Sequence, residues 1–267
     1  WENIPTELSE VFGTFYLDMV DRLGQRTAQL HLALASNVQD ATWRPEEFST
    51  LYQRSVYQSM RSLTRRTFML LRQNMARVPE TERGQVERLI EQERDVLIRL
   101  SRIMGPKITS MKIRIHGDYH LGQVLYTGKD FVIIDFEGEP ARSLSERRLK
   151  RSPLRDVAGM IRSFHYAAMS ALRRHTDDHP TDAEFLHPWL EAWSTHAGAI
   201  FLQGYLRTLG DSRLVPDNHA HLKTLLHCFL MEKAVYELGY ELNNRPDWIS
   251  LPMRGIEMIL EEPLEKQ

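Results

Sequence analysis

Two aspartates and a glutamine stand close together in the stretch 113–140. Asp118 follows Ile-Arg-Ile-His-Gly, Gln123 lies five positions later, and Asp135 closes the apolar run Phe-Val-Ile-Ile. Such a set suits phosphoryl transfer, in which one carboxylate orients an attacking hydroxyl while an amide and a second carboxylate hold magnesium against phosphates. Magnesium takes a few hard oxygen ligands plus water, and these side chains offer them. Taken singly, an acid after a strand is equally well explained as a turn or a helix cap; the combination is what points to chemistry. A zinc site of His116, Asp118 and His120 is an alternative, because alternate residues of a strand share one face. Gly117 and the loop context weigh against it.

The elements that must position this set are short strands. Residues 112–115 and 131–134 are rich in β-branched types, and Thr127-Gly128-Lys129-Asp130 has the turn chemistry of a hairpin. The reading is strand, polar loop, strand, turn, strand and an acid-bearing loop. The rest of the chain reads as helices. One or two cover 7–35, with Gly24 allowing close packing and His31 as a core histidine. A loop spans 37–47. A long helix covers 48–77, and a further one carries Val86, Leu89, Val96 and Leu100 toward Gly105-Pro106. Ser152-Pro153 is a cap and first-turn pair for a helix through Arg174, with Asp156 in its first turn. Helices over 181–209, 219–243 and 248–260 complete the pattern, with Pro188 as a restart or kink in the first of them.

With 267 residues the chain can bury a sizeable core. Its formal net charge of -2 gives no bulk attraction to nucleic acid or to an anionic membrane. The arginines of the early helices are interleaved with acids and read as solvated faces. A single cysteine, Cys228, excludes an internal disulfide and fits a reducing cytoplasm. Charges break every apolar run of membrane length, so a soluble, cytoplasmic protein is expected.

His116-Gly117-Asp118-xxxx-Gln123 followed by Ile134-Asp135-Phe136-Glu137 resembles the catalytic and metal-binding loops of the aminoglycoside-phosphotransferase-like branch of the protein-kinase superfold. The longer text through Glu139-Pro140-Ala141-Arg142 and Ser152-Pro153-Leu154-Arg155-Asp156-Val157 is similar to bacterial maltokinases, which phosphorylate maltose to maltose 1-phosphate and are often fused to trehalose synthase. The resemblance implies ATP and Mg2+ as cofactors and Asp118 as the catalytic base, with His116 supporting its loop. It makes Gln123 and Asp135 the ligands of the metal-bound nucleotide, and Glu137 a weaker metal ligand. It also sets Asp156 as a brace for the catalytic loop. Many relatives have asparagine where Gln123 stands.

Tyr236 and Tyr240 fall on one helical face, four residues apart, and Trp248 lies beyond the break at Asn243-Asn244-Arg245-Pro246. Rings that cover sugar faces and amides that take hydroxyls make a disaccharide site, although such stripes more often serve as core. The run 236–248 resembles the maltose-binding region of maltokinases, which makes Tyr236, Tyr240, Asn243, Arg245 and Trp248 substrate-binding candidates, beside His120 of the catalytic loop. The implied fold is mainly α with a short catalytic β-hairpin, the C-lobe of a protein-kinase-like enzyme. The C-lobe covers 1–267, divided into a helical region over 1–111, a catalytic and metal-binding hairpin over 112–140 and a helical sugar-binding region over 141–267. No glycine-rich strand-loop-strand unit with a lysine strand precedes His116, so the nucleotide-gripping N-lobe is expected to be absent from this chain and the chain alone to be a poor catalyst. The expected partners are maltose, that lobe and a fused trehalose synthase. The rivals are a kinase for another hydroxylated substrate such as an aminoglycoside, or a sugar-binding or docking module without activity.

Overall fold

The structure is a computed structural model that describes residues 13–262. In chain order these form α1 (Thr14–Leu34), β1 (Glu46–Glu47), α2 (Thr50–Gln73), α3 (Arg83–Glu91), α4 (Glu93–Ser101), β2 (Met111–Lys112), β3 (Val124–Tyr126), β4 (Phe131–Ile133), α5 (Leu144–Arg147), α6 (Leu154–Asp178), α7 (Ala183–Leu209), α8 (His219–Asn244) and α9 (Ser250–Glu261), joined by loops and short 3-10 turns. The helical residues expected at 7–12 lie outside the described range. The chain divides into two compact units that interleave in sequence. One contains the described residues up to Glu47 with Ser110–Val215, and the other contains Phe48–Thr109 with the described residues from Pro216 onward.

In the first unit α1 and α6 both pack on α7. Along α1 the buried positions Val20, Leu23, Gly24, Thr27, Ala28 and His31 recur every three or four residues, which puts them on one face. Glycines let α1 and α7 touch backbone to backbone. A Cβ on Gly24 would lie 2.2 Å from the Phe201 carbonyl oxygen, and one on Gly204 would lie 2.4 Å from that of Asp21. Phe164 of α6 meets Trp193 and Phe201 of α7 edge to face, with ring centroids 6.4 and 5.9 Å apart. Pro188 sits inside an unbroken α7 rather than dividing it.

The strands of this unit pair in twos. β3 and β4 form the expected hairpin, with Val124 opposite Ile133, Leu125 opposite Val132 and Tyr126 opposite Phe131. The first expected strand pairs elsewhere. β2 joins β1, from the stretch read as loop, and Ile113 exchanges backbone hydrogen bonds of 2.9 and 2.8 Å with Arg151. Lys112 and Lys150 both reach the carboxylate of Glu46 on β1, at 2.9 and 2.8 Å, and hold its pKa down at about 2.

In the second unit α8 packs on α2 and α9. The buried Gln53 uses its whole amide. Nε2 donates to the carbonyls of Ile103 and Pro106, at 2.8 and 3.0 Å, and Oε1 accepts from the Ile108 N–H at 3.1 Å. The pattern Val86 to Leu100, expected as one helix, is two, because the chain turns at Gln92 between α3 and α4. Cys228 is buried in α8, and burial pushes its thiol up to about 12.

Candidate active site

The loop from His116 to Gln123 is held by one face of α6. Asp156, Gly159 and Ser163 are spaced three and four apart and so project from the same side of the helix. Asp156 is 2% exposed and accepts the backbone N–H of His116 at 2.8 Å and that of Gly117 at 2.9 Å. Its Oδ2 also meets His31 Nε2 at 3.1 Å, while His31 Nδ1 lies 2.9 Å from the Tyr205 hydroxyl. The simplest proton arrangement has Tyr205 donating to Nδ1 and Nε2–H donating to Asp156. Burial and the neighbouring Asp156 charge raise the Tyr205 pKa well above its usual value, so the hydroxyl stays a donor.

Further along the loop, a Cβ on Gly159 would lie 2.6 Å from the Tyr119 carbonyl oxygen, so only glycine admits the loop this close. Ser163 Oγ accepts the Leu121 N–H at 3.0 Å. From α1, Thr27 gives its proton to the Leu23 carbonyl at 2.8 Å, which leaves its oxygen to accept from the Tyr119 hydroxyl, also at 2.8 Å.

His116 joins the two acid-bearing loops. Its Nδ1 faces the Asp118 N–H at 3.4 Å, and Nε2 donates to the Ile134 carbonyl at 2.8 Å, the residue before Asp135. The hairpin register extends one step beyond β3, with the Ile134 N–H on the Gln123 carbonyl at 3.0 Å. Gln123 and Asp135 are thereby neighbours, and Gln123 Nε2 donates to Asp135 Oδ2 at 2.8 Å. Asp135 has φ of 64°, the left-handed region that non-glycine residues rarely enter and that concentrates at functional sites.

The outer end of the hairpin is pinned to α1. Arg26 grips Asp130 with two hydrogen bonds of 2.8 and 2.7 Å, and this contact, with the Phe131 N–H, holds the Asp130 carboxyl well below the usual range. Arg26 and Asp130 carried no functional signal in the sequence.

Asp118 keeps a side chain 20% exposed, and no hydrogen bond from a described residue reaches its carboxylate. His120 Nε2 lies 4.0 Å from its Oδ2, and His120 Nδ1 accepts the Gly122 N–H at 3.1 Å. A carboxylate in this state can accept a substrate proton. Glu137 is 76% exposed and 3.9 Å from Arg147. Among the described residues no three His, Cys, Asp or Glu side chains gather into a metal cluster. The Gln123 side chain and the Asp135 carboxylate, joined by the hydrogen bond from Nε2, offer an amide oxygen and carboxylate oxygens, the hard donors that suit a magnesium completing its shell with phosphate oxygens and water.

The aromatic candidates belong to the second unit. Tyr236, Tyr240, Asn243 and Asn244 of α8 line a groove of about 420 Å³ whose opposite wall, on α2, includes Arg66, Thr67 and Gln73. Trp248 and Arg245 are not in that lining. The Arg245 guanidinium lies 5.0 Å from the Trp248 ring centroid and 5.8 Å from that of Tyr240, and it forms a two-pronged ion pair with buried Glu241 at 2.9 and 2.6 Å. The α2 wall escaped the sequence reading. A seven-residue interval, Arg66 to Gln73, is two helical turns and is the signal that could have shown it.

The sequence profile of the phosphotransferase enzyme family matches residues 16–139, the segment that carries Asp118, Gln123 and Asp135. A glucosamine kinase of Streptacidiphilus jiangxiensis is 27% identical over 191 residues, covering 72% of this chain and 40% of that enzyme. A glucosamine kinase of Mycolicibacterium smegmatis is 32% identical over 151 residues, covering 55% of this chain and 34% of that enzyme. A solved glucosamine kinase, crystal form A, superposes with a TM-score of 0.74 at 24% identity, over 97% of this chain and 54% of that one. The complex of glucosamine kinase with glucosamine, ADP and inorganic phosphate gives 0.73 at 23% identity, over 95% of this chain and 55% of that one. The chain therefore spans about half the length of these solved kinases. In its motif-bearing segment it matches the phosphotransferase enzyme family, and its fold is similar to that of the solved glucosamine kinases.

Proposed function

We propose that this chain is the catalytic and sugar-binding lobe of an ATP- and magnesium-dependent kinase that phosphorylates the anomeric hydroxyl of maltose. The observation that carries the kinase reading is the contact of Gln123 with Asp135, coupled through His116 to the loop of Asp118. Asp118 accepts the hydroxyl proton as the oxygen bonds to the γ-phosphorus, while the bond from that phosphorus to the β,γ-bridging oxygen breaks and ADP leaves. Gln123 and Asp135 would hold the metal, which would supply positive charge to the phosphates. His116 and Asp156 keep the base and the metal ligands in register. The sheet of the described residues is limited to two two-stranded pairs, so in this reading a further lobe supplies the lysine and covering loop that grip the nucleotide.

Maltose rather than an amino sugar is favoured by charge. The groove of the second unit offers two tyrosine rings and several amides, and among the described residues no carboxylate lines it. A protonated amino sugar or aminoglycoside asks for an acid there. The names of the glucosamine kinase relatives favour glucosamine as the second reading. A steady-state screen of the polypeptide joined to its nucleotide-holding lobe, with maltose, glucosamine, glucose and trehalose, separates the two. The highest kcat/KM on maltose, with maltose 1-phosphate as product, is expected. A preference for glucosamine would overturn the maltose assignment, and no transfer to any sugar would overturn the kinase.

A further inference from the structure

The wall of the groove opposite the tyrosines has no assigned role. It belongs to α2, where Arg66 and Gln73 lie two turns apart, and among the described residues Arg66 is the only charged side chain in the lining. Arg66 is exposed. The carboxylates nearest in sequence to the tyrosines do not offset it. Glu237 is 9% exposed, Glu241 is 1% exposed and bound to Arg245, and neither lines the groove. The other cations around the α8 side are Lys233, 5.2 Å from the Tyr236 ring centroid, and Arg77, which donates to the Asn243 carbonyl at 2.8 Å. Neither of these lines the groove, so among the described residues the charge of its lining is that of Arg66.

We infer that Arg66 sets the charge selectivity of this groove, admitting neutral saccharides and rejecting protonated amino sugars. The inference rests on the reading of the groove as the sugar site. Glucose and glucosamine differ only in a hydroxyl replaced by an amine, so they isolate the charge. Two unit positive charges on the order of 7 Å apart, at an effective dielectric of about 40, disfavour each other by about five- to tenfold in affinity, which is the size of effect expected if a bound amine sits that near Arg66. Gln73 and the α8 amides take hydroxyls from either sugar and leave that ratio unchanged.

The test is isothermal titration of the 267-residue chain with glucose, glucosamine hydrochloride and maltose at low salt, where surface charge is least screened. The unaltered chain is expected to favour glucose over glucosamine by about five- to tenfold. R66K should keep that ratio, and R66E should shift it toward glucosamine by at least about tenfold. Circular dichroism checks that each variant is folded. An R66E ratio within about twofold of the unaltered chain, with maltose affinity still falling in Y240A, would overturn the role of Arg66 and leave the groove as the sugar site. Unchanged maltose affinity in Y240A, or no saccharide binding at all, would overturn the groove reading and this inference with it.

Discussion

Gly159→Ala sets two physical rules against each other. Glycine inside a helix costs about 1 kcal/mol relative to alanine, so helix propensity alone predicts that the substitution stabilises α6. The structure predicts the opposite sign. The new Cβ would sit 2.6 Å from the Tyr119 carbonyl oxygen, well inside ordinary contact, and the obstacle is backbone. That backbone has little freedom to withdraw. Asp156 holds it two residues before Tyr119, Ser163 holds it two residues after, and Thr27 holds the Tyr119 side chain. Overpacking of this kind costs about 1–3 kcal/mol. The net change is expected to destabilise, by up to about 2 kcal/mol after the propensity gain. That lowers the melting temperature by about 2–4 °C per kcal/mol in a protein of this size. Gly84→Ala is the control, because its Cβ would meet only the Arg88 side chain, at 3.8 Å. It should raise stability slightly and leave turnover alone. G159A should lower kcat as well, since Tyr119 adjoins Asp118. A G159A protein as stable and as active as G84A would refute the reasoning.

Asp118→Asn should lower kcat by about two to four orders of magnitude while leaving magnesium-nucleotide binding largely intact, and Asp135→Ala should abolish turnover with the fold preserved; near-normal rates in either contradict the assigned role. Tyr240→Ala should weaken maltose binding by about 1 kcal/mol, or roughly fivefold, with nucleotide affinity unmoved, as read by calorimetry. The acid limb of stability should include Glu46, whose carboxyl is held at about 2 by Lys150 and Lys112. A depressed carboxyl contributes stability above its ordinary value of about 4.3 and loses it as pH falls through the folded value. The melting-temperature gap between the unaltered chain and E46Q should therefore be full at neutral pH and narrow between about pH 4 and pH 2; a gap that stays constant would remove Glu46 from the acid limb.

What was legible in the sequence was local. The turn chemistry at 127–130 and the β-branched runs beside it located the hairpin, and the helix periodicities located most helices. The partner of the first strand was not legible, because it comes from Glu46–Glu47, far away in the chain, and two-residue strands leave no alternation to read. The break at Gln92 has no proline or glycine to announce it. Around the site, Asp118, Gln123 and Asp135 stood out by type and spacing, whereas the supports around them look like ordinary helix residues. Thr27, His31, Gly159, Ser163 and Tyr205 gain meaning only when α1, α6 and α7 come together. Asp156 could be read ahead through the resemblance, and the interval to Gly159 and Ser163 then follows from helical geometry. The aromatic stripe pointed to one wall of a groove and not to its facing wall on α2, since no pattern in one helix specifies its neighbour. Trp248 lies outside the lining of that groove, with the Arg245 guanidinium 5.0 Å from its ring centroid.

The most direct measurement is a competition followed by phosphorus NMR. The polypeptide joined to its nucleotide-holding lobe receives ATP, magnesium, and equal amounts of maltose and glucosamine, beside a D118N control. The predicted result is an anomeric phosphate on maltose as the main product, absent from the control. Phosphorylated glucosamine as the main product, or equal product with D118N, would contradict it.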